Sequence, residues 1–316
     1  SEQVANAMEE RHKRLQDIPR GPAKTTNGAI KGLLRAGKTT EEIYDAISTQ
    51  HVDLVLTAHP TQALRRSILK SFGKIRESLL KLQRFRLSAY ERAEVLDEIR
   101  SSVAAAWRTD ELRRTPPKPQ DEMRAGLTYF QQTIWDGIPT FMRRVDTSLL
   151  AQGCPRLPLT RSIVTFGSWM GGDRDGNPNV TSECTRDVVL LARIQGVNLL
   201  FSAIQRLIFD LSMWRANDAV KARAKEILAA SESDKTAIFE ERKRRNYDDF
   251  WKAIPEYEPY RVILAELRDK LYNTRAVLRQ CVADSDLAID VTDASIVRHK
   301  EELSEPLIAC YESLIE

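Results

Sequence analysis

Two short apolar segments constrain this 316-residue chain more than any other feature. One is Val52-Asp53-Leu54-Val55-Leu56 and the other is Ser162-Ile163-Val164-Thr165-Phe166. Both are aliphatic or β-branched and read as buried strands. Each runs into an unusual loop and then into a long helical pattern. Strand, loop and helix in that order form the unit of a parallel α/β sheet or barrel. In such folds chemistry sits on the loops leaving the strands' C-terminal ends. Two strands can neither close a barrel nor build a normal parallel sheet. Either further strands are hidden, or the chain is a piece of something longer.

The rest of the sequence is helical in period. After Pro60, the positions Leu64, Ile68, Phe72, Ile75, Leu79 and Leu82 recur at steps of four or three and form one stripe of a long helix. Val95, Ile99, Val103 and Trp107 repeat the pattern up to Thr115-Pro-Pro-Lys-Pro119. Met123, Leu127, Phe130 and Ile134 define a third helix, and Cys154-Pro-Arg-Leu-Pro158 a loop. Val188, Leu191, Ile194, Leu199, Ile204, Ile208 and Leu211 mark a long helix from about 182 to 213, and 262–281 and 301–315 are helical again. Residues 231–248 are charged without apolar period and read as a surface excursion. The 13 Gly and 13 Pro are few for this length, which favours long helices over many turns. No internal repeat stands out.

Composition excludes several classes. With 42% hydrophobic and 29% charged residues, the chain is globular, not disordered. Its net charge of +3 is too balanced for nucleic acid as the main partner. The purely apolar runs are short, as in Val188 to Ala192, against the roughly 20 residues that span a bilayer. The first ten residues show no basic or apolar leader pattern, so no signal peptide is expected. The four cysteines (Cys154, Cys184, Cys281, Cys310) are far apart and form no C-x-x-C, and there are four histidines. A structural zinc site is not expected, and a reducing, cytoplasmic compartment fits.

Four motifs could carry chemistry. Gly32-Leu-Leu-Arg-Ala-Gly37-Lys38-Thr39 matches the phosphate-loop pattern letter for letter. That loop needs a buried strand before it, and the polar stretch Lys24 to Lys31 is not strand-like. The competing reading is a helix ending at Gly37, with Thr39 and Glu42 forming the capping box of the next. Thr57-Ala-His59-Pro-Thr61 follows the first strand. There an imidazole can move protons near neutral pH, or merely hydrogen-bond the turn. Arg65-Arg66 and Arg113-Arg114 are either phosphate clamps or solvated pairs. Arg242 to Arg245 is flanked by Glu240 and Glu241 and reads as a solvated loop.

The most specific motif follows the second strand: Phe166-Gly-Ser-Trp169-Met-Gly171-Gly172-Asp173-Arg174-Asp175-Gly-Asn177-Pro-Asn-Val-Thr181. Its glycines permit tight turns and close ligand approach. Asp173, Asp175 and Asn177 fit the start of a calcium loop, but its required glycine is Pro178 and its closing glutamate is Cys184, which rejects that mode. So dense a loop behind a buried strand favours an active site.

Together, Leu-Thr-Ala-His59-Pro-Thr-Gln and Gly-Ser-Trp169-Met-Gly-Gly-Asp-Arg-Asp-Gly-Asn-Pro resemble the signatures of phosphoenolpyruvate carboxylases, in particular the plant and algal ones. The similarity continues through Arg-Thr-Asp-Glu-Leu-Arg-Arg-Thr-Pro-Pro, Asp-Glu-Met-Arg-Ala-Gly, Pro-Tyr-Arg261-Val-Ile-Leu and Arg-Asp-Lys-Leu-Tyr-Asn-Thr-Arg, and so spans nearly the whole chain. The resemblance implies a mainly α fold: long helices around the first strands, near 52–57 and 162–167, of a parallel (β/α)8-type barrel that is incomplete in this chain. It implies that residues 1–316 are the N-terminal portion of a single large domain. It also implies carboxylation of phosphoenolpyruvate by bicarbonate to oxaloacetate and phosphate, through carboxyphosphate and an enolate.

Residue roles follow from the same resemblance. His59 is expected to be catalytic and to take the proton from carboxyphosphate. Trp169, with Gly171, Gly172, Asp173, Arg174, Asp175 and Asn177, is expected to line the substrate and carbon dioxide pocket. Arg65, Arg66, Arg113, Arg114 and Arg261 resemble a sugar-phosphate activator site, with Arg261 reaching from a neighbouring subunit of a homotetramer. Mg2+ or Mn2+ is the expected cofactor, with ligands outside this chain. No nucleic-acid or membrane partner is expected. Family members are far longer, so this length is expected to be inactive alone. Two alternatives stay open: a non-catalytic helical scaffold or regulatory subunit of the same fold, and a nucleotide-binding protein acting through Gly32–Thr39.

Overall fold

In the computed structural model, the described residues are 25–57, 65–84, 86–110, 117–232, 254–290 and 292–316. Among them the chain is mainly helical. The elements are α1 (Thr26–Arg35), α2 (Thr40–Thr49), β1 (Val52–Leu56), α3 (Arg66–Arg84), α4 (Ala89–Trp107) and α5 (Pro119–Tyr129). A π-helical turn (Phe130–Ile134) leads into α6 (Trp135–Leu150), and β2 (Val164–Ser168), α7 (Ser182–Asp210), α8 (Asp218–Glu232), α9 (Pro259–Ala283) and α10 (Glu301–Ile315) follow. The π turn lies just ahead of Pro139, which can donate no backbone bond to the helix that contains it.

β1 and β2 pair with each other. The Val52 amide donates to the Ile163 carbonyl at 2.8 Å, and the Trp169 amide to the Leu56 carbonyl at 2.8 Å. Both bonds advance in the same direction along the two strands, so the pair is parallel. β2 begins two residues later than the sequence suggests, with Ile163 just ahead of it. Neither strand is buried as expected: β1 is intermediate to exposed, with Leu54 45% and Val55 52% exposed, and β2 is likewise intermediate to exposed, because the described residues leave these faces uncovered.

The chain divides into two compact units. The first comprises 1–54, 130–167 and 192–316. One of its cores packs Ile30 of α1, Ile43 of α2 and Val145 and Leu149 of α6 around Cys154, Leu157 and Ile163. Another packs Phe201, Ile204 and Ile208 of α7 against Leu264, Leu267 and Leu271 of α9. A third joins Val220, Tyr260, Ile263 and Cys310. The second unit comprises 55–129 and 168–191. Its α3 and α4 pair through the Ser78 hydroxyl, which donates to Glu98 at 2.9 Å.

The competing reading of Gly32–Thr39 holds, and two further expectations meet a different outcome. Gly32 lies inside α1, so a helix and not a strand leads into Gly32–Thr39. Gly37, at φ +87°, follows the end of that helix. Thr39 and Glu42 form the capping box of α2, and Lys38 Nζ pairs with Glu42 at 3.2 Å. The nucleotide-loop alternative is therefore corrected, since nothing here splays amides toward a phosphate behind a strand. The α3 stripe is only partly core: Ile68 is buried, whereas Phe72 is 49% and Leu79 53% exposed. Finally, the interrupted apolar run around Val188 lies in a helix, Ser182–Asp210, that is long and apolar enough by length and composition to cross a membrane. Its Phe201, Ile204 and Ile208 pack on α9, as a core helix does. The charged excursion 231–248 lies, from 233 onward, outside the described residues.

Candidate functional site

The loop from Trp169 to Thr181 leaves the C-terminal end of β2 and enters α7. The first turn is closed by the Trp169 carbonyl, which accepts from the amides of Gly172 (3.1 Å) and Asp173 (3.2 Å). Gly171 makes that turn possible at φ +70°. A Cβ there would lie 2.7 Å from a methyl of Val188, so the backbone sits directly on α7. The Thr185 hydroxyl donates to the Gly171 carbonyl at 2.8 Å and fixes the turn to the same helix. Met170 is buried beneath it.

A second turn follows. Asn177 donates its amide to the Arg174 carbonyl at 2.5 Å, with Asp175 at φ +31° and Gly176 at φ +74°. The Asn177 side chain accepts from the Asn179 amide at 3.0 Å. This turn holds Asn177 by local bonds and leaves Arg174, Asp175 and Asn177 exposed. Thr181 then caps α7 by accepting from the Cys184 amide at 3.1 Å. Burial and the nearby Asp187 raise the Cys184 thiol above its usual range, so it is not an activated nucleophile.

Within this frame Trp169 is 55% exposed. Its Nε1–H donates to Asp173 Oδ2 at 2.6 Å. The ring is therefore a bonded apolar plate at the strand end, flanked by Gly171 and Gly172. That suits an apolar wall beside small reactants.

The expected site residues fall into three groups. Trp169, Gly171, Gly172, Asp173, Arg174, Asp175 and Asn177 share the one loop, as the spacing indicates. His59, Arg113 and Arg114 lie outside the described residues, and so does the side chain of Arg66. Arg65 Nη2 lies 3.5 Å from Asp110 Oδ2. Arg261 is mostly buried and its Nη1 pairs with Glu258 at 2.5 Å. Among the described residues, no group of three or more His, Cys, Asp and Glu could hold a metal. A shallow groove of about 260 Å3 runs along α3, but a single helix lines it and no loop end reaches it.

The sequence reading missed a cluster at the opposite end of the strands. His51 Nε2 lies 2.9 Å from Asp53 Oδ1, and the Thr165 hydroxyl donates to that same carboxylate. The Thr165 bond, then the charge of His51, hold the Asp53 carboxyl below its usual range. The spacing of two between His51 and Asp53 places that pair on one face of a strand and is a local signal; only the pairing register adds Thr165 to it.

The family model for phosphoenolpyruvate carboxylase matches residues 1–316. Phosphoenolpyruvate carboxylase 1 of Chlamydomonas reinhardtii is 49% identical over all of this chain, which covers 32% of that protein. Phosphoenolpyruvate carboxylase 2 of Arabidopsis thaliana is 46% identical over all of the chain, again covering 32% of the relative. The enzyme of Nicotiana tabacum is 46% identical over 99% of the chain and 33% of its own length. The chain thus spans about a third of the curated relatives it matches. With both signature loops inside a match that runs from end to end, the chain belongs to the phosphoenolpyruvate carboxylase family.

Proposed function

We propose that this chain forms part of an enzyme that carboxylates phosphoenolpyruvate with bicarbonate, giving oxaloacetate and phosphate. The observation that carries the reading is the bonded, half-exposed Trp169 plate at the end of β2, inside a loop that matches the family signature. In this reading β1 and β2 are the first strands of a (β/α)8-type barrel, and both signature loops open at its catalytic end.

Phosphoryl transfer to bicarbonate makes carboxyphosphate and leaves the enolate of pyruvate. His59 takes the carboxyphosphate proton, which frees carbon dioxide and phosphate. Trp169, Gly171 and Gly172 shape an apolar pocket that holds carbon dioxide against the enolate and keeps water from protonating it. Arg174, Asp175 and Asn177 line the pocket's polar rim. Mg2+ or Mn2+ is the proposed cofactor. The described residues do not fit such an ion, and by the family resemblance its ligands are proposed to lie outside this chain. Arg65, Arg66, Arg113, Arg114 and Arg261 are proposed to bind a sugar-phosphate activator in a homotetramer. Arg261 would have to leave Glu258 to take part. A cytoplasmic location is proposed, and four buried, unbridged cysteines support it.

The test is turnover. The complete carboxylase carrying His59→Ala should lose oxaloacetate formation while retaining bicarbonate-dependent phosphate release. Unchanged oxaloacetate formation would refute the role of His59. The 316-residue polypeptide assayed alone should form no oxaloacetate above background.

A further inference from the structure

We propose that Asp173 is a positioning residue: its carboxylate locks the Trp169 indole, and the ring in turn decides whether the enolate meets carbon dioxide or water. The proposal rests on the reading of Trp169 as a pocket wall.

The geometry is specific. The indole Nε1–H donates to Asp173 Oδ2 at 2.6 Å, short for a nitrogen donor and typical of a charge-assisted bond. The same two residues are joined through the backbone, where the Asp173 amide donates to the Trp169 carbonyl at 3.2 Å. Side chains and main chain therefore close one small ring around a single turn. That turn is itself anchored, because the Gly171 carbonyl accepts from Thr185 and the Gly171 backbone rests on Val188. The carboxylate thus has a fixed base from which to hold the ring.

The ring needs holding. A tryptophan that is 55% exposed is poorly confined by packing, and without a bond its ring would exchange among staggered rotamers. Charge argues the same way. Phosphoenolpyruvate, bicarbonate and phosphate are all anions, and a carboxylate repels each of them. Asp173 is therefore poorly suited to bind substrate, and well suited to accept from a neutral N–H beside it. Its action on the reaction is indirect, through the plane and position of the ring.

The consequence is a partition. When the wall holds, the enolate carbon attacks carbon dioxide and forms the new carbon–carbon bond of oxaloacetate. When it swings, water delivers a proton to that carbon instead. The products are then pyruvate and phosphate, and the bicarbonate carbon is returned. The net reaction is phosphoenolpyruvate plus water to pyruvate plus phosphate.

The experiment measures pyruvate and oxaloacetate from the complete carboxylase, with phosphoenolpyruvate, bicarbonate and magnesium. Asp173→Leu keeps the bulk and removes the acceptor, and should raise the pyruvate-to-oxaloacetate ratio about tenfold, the scale of one hydrogen bond to a charged group. Asp173→Asn keeps an acceptor oxygen and should stay within about threefold of wild type, as a weaker neutral bond allows. Trp169→Phe should raise the ratio by itself, and Asp173→Leu added to it should change little further. Asp173→Ala is the second acceptor-free variant should the leucine protein not fold. The proposal is overturned if Trp169→Phe shifts the ratio and the acceptor-free variants do not. It is equally overturned if Asp173→Leu acts as strongly without the indole as with it. A ratio unmoved by Trp169→Phe removes the wall reading, and the proposal with it.

Discussion

A Cβ at Gly171 would stand 2.7 Å from Cγ2 and 2.8 Å from Cγ1 of Val188, on a backbone already at φ +70°. The loop and α7 thus meet at a contact sized for hydrogen. Gly171→Ala should destabilise the protein by roughly 2 kcal/mol, combining left-handed backbone strain with overpacking. Val188→Ala removes both clashing methyls, so the double variant should recover part of that loss. Urea unfolding midpoints of the two single variants and the double variant give the comparison. Additive losses would mean the contact is not the cause.

The capping role of Thr39, in place of a phosphate loop, is testable directly. Thr39 accepts from the Glu42 amide at 3.1 Å and Glu42 returns the bond to the Thr39 amide at 2.9 Å. The backbone bond, helped by Lys38, holds the Glu42 carboxyl below its usual range. Thr39→Ala should cost about 1 kcal/mol, the usual loss of a helix cap. Lys38→Ala removes only an exposed pair and should change stability by a few tenths of a kcal/mol. Magnesium ATP should leave the melting temperature of both wild type and Lys38→Ala unchanged, as read by differential scanning fluorimetry.

Leu264 is fully buried between α7 and α9. Leu264→Ala should lower stability by about 2–5 kcal/mol through lost burial and a residual cavity. The exposed Leu79→Ala should cost far less in the same chain. Chemical denaturation of both variants gives the ordering.

Burial pushes the Cys310 thiol up to about 11 from an ordinary thiol value of 9.0. The folded state therefore keeps a proton that the unfolded state releases between those values. Stability is unaffected below pH 9 and falls as pH rises from 9 toward 11, by at most about 1.4 kcal/mol per pH unit from this group. Cys310→Ala should flatten that part of the stability–pH curve. Native Cys310 should also resist alkylation at pH 8, and it should react once the protein is unfolded.

Local signals in the sequence proved the dependable ones. The extent of β1, the Thr39–Glu42 capping box and the 301–315 helix are each set by residues within one turn or one strand of each other. The grouping of Trp169 with Asp173 was also legible, since both lie in one motif. That the indole bonds the carboxylate was not, because a spacing of four brings side chains together only if the intervening turn is known. Val188 under Gly171 and Thr165 beside Asp53 depend on how separate elements dock. The α3 stripe shows the remaining gap. Its period names a face, and Phe72 and Leu79 show that the described residues leave that face half uncovered.

The parallel pair also sets an order of events during synthesis. Asp53 and Thr165 lie 112 residues apart, which at 5–20 residues per second separates their emergence by roughly 6 to 22 s. The α1–α2 and α3–α4 neighbours close over short loops and can form within that interval. β1 cannot, since its partner has not yet been made. A nascent chain arrested before Val164 thus carries Leu54 and Val55 on a strand with no ladder. Such chains are where chaperone capture and aggregation should concentrate.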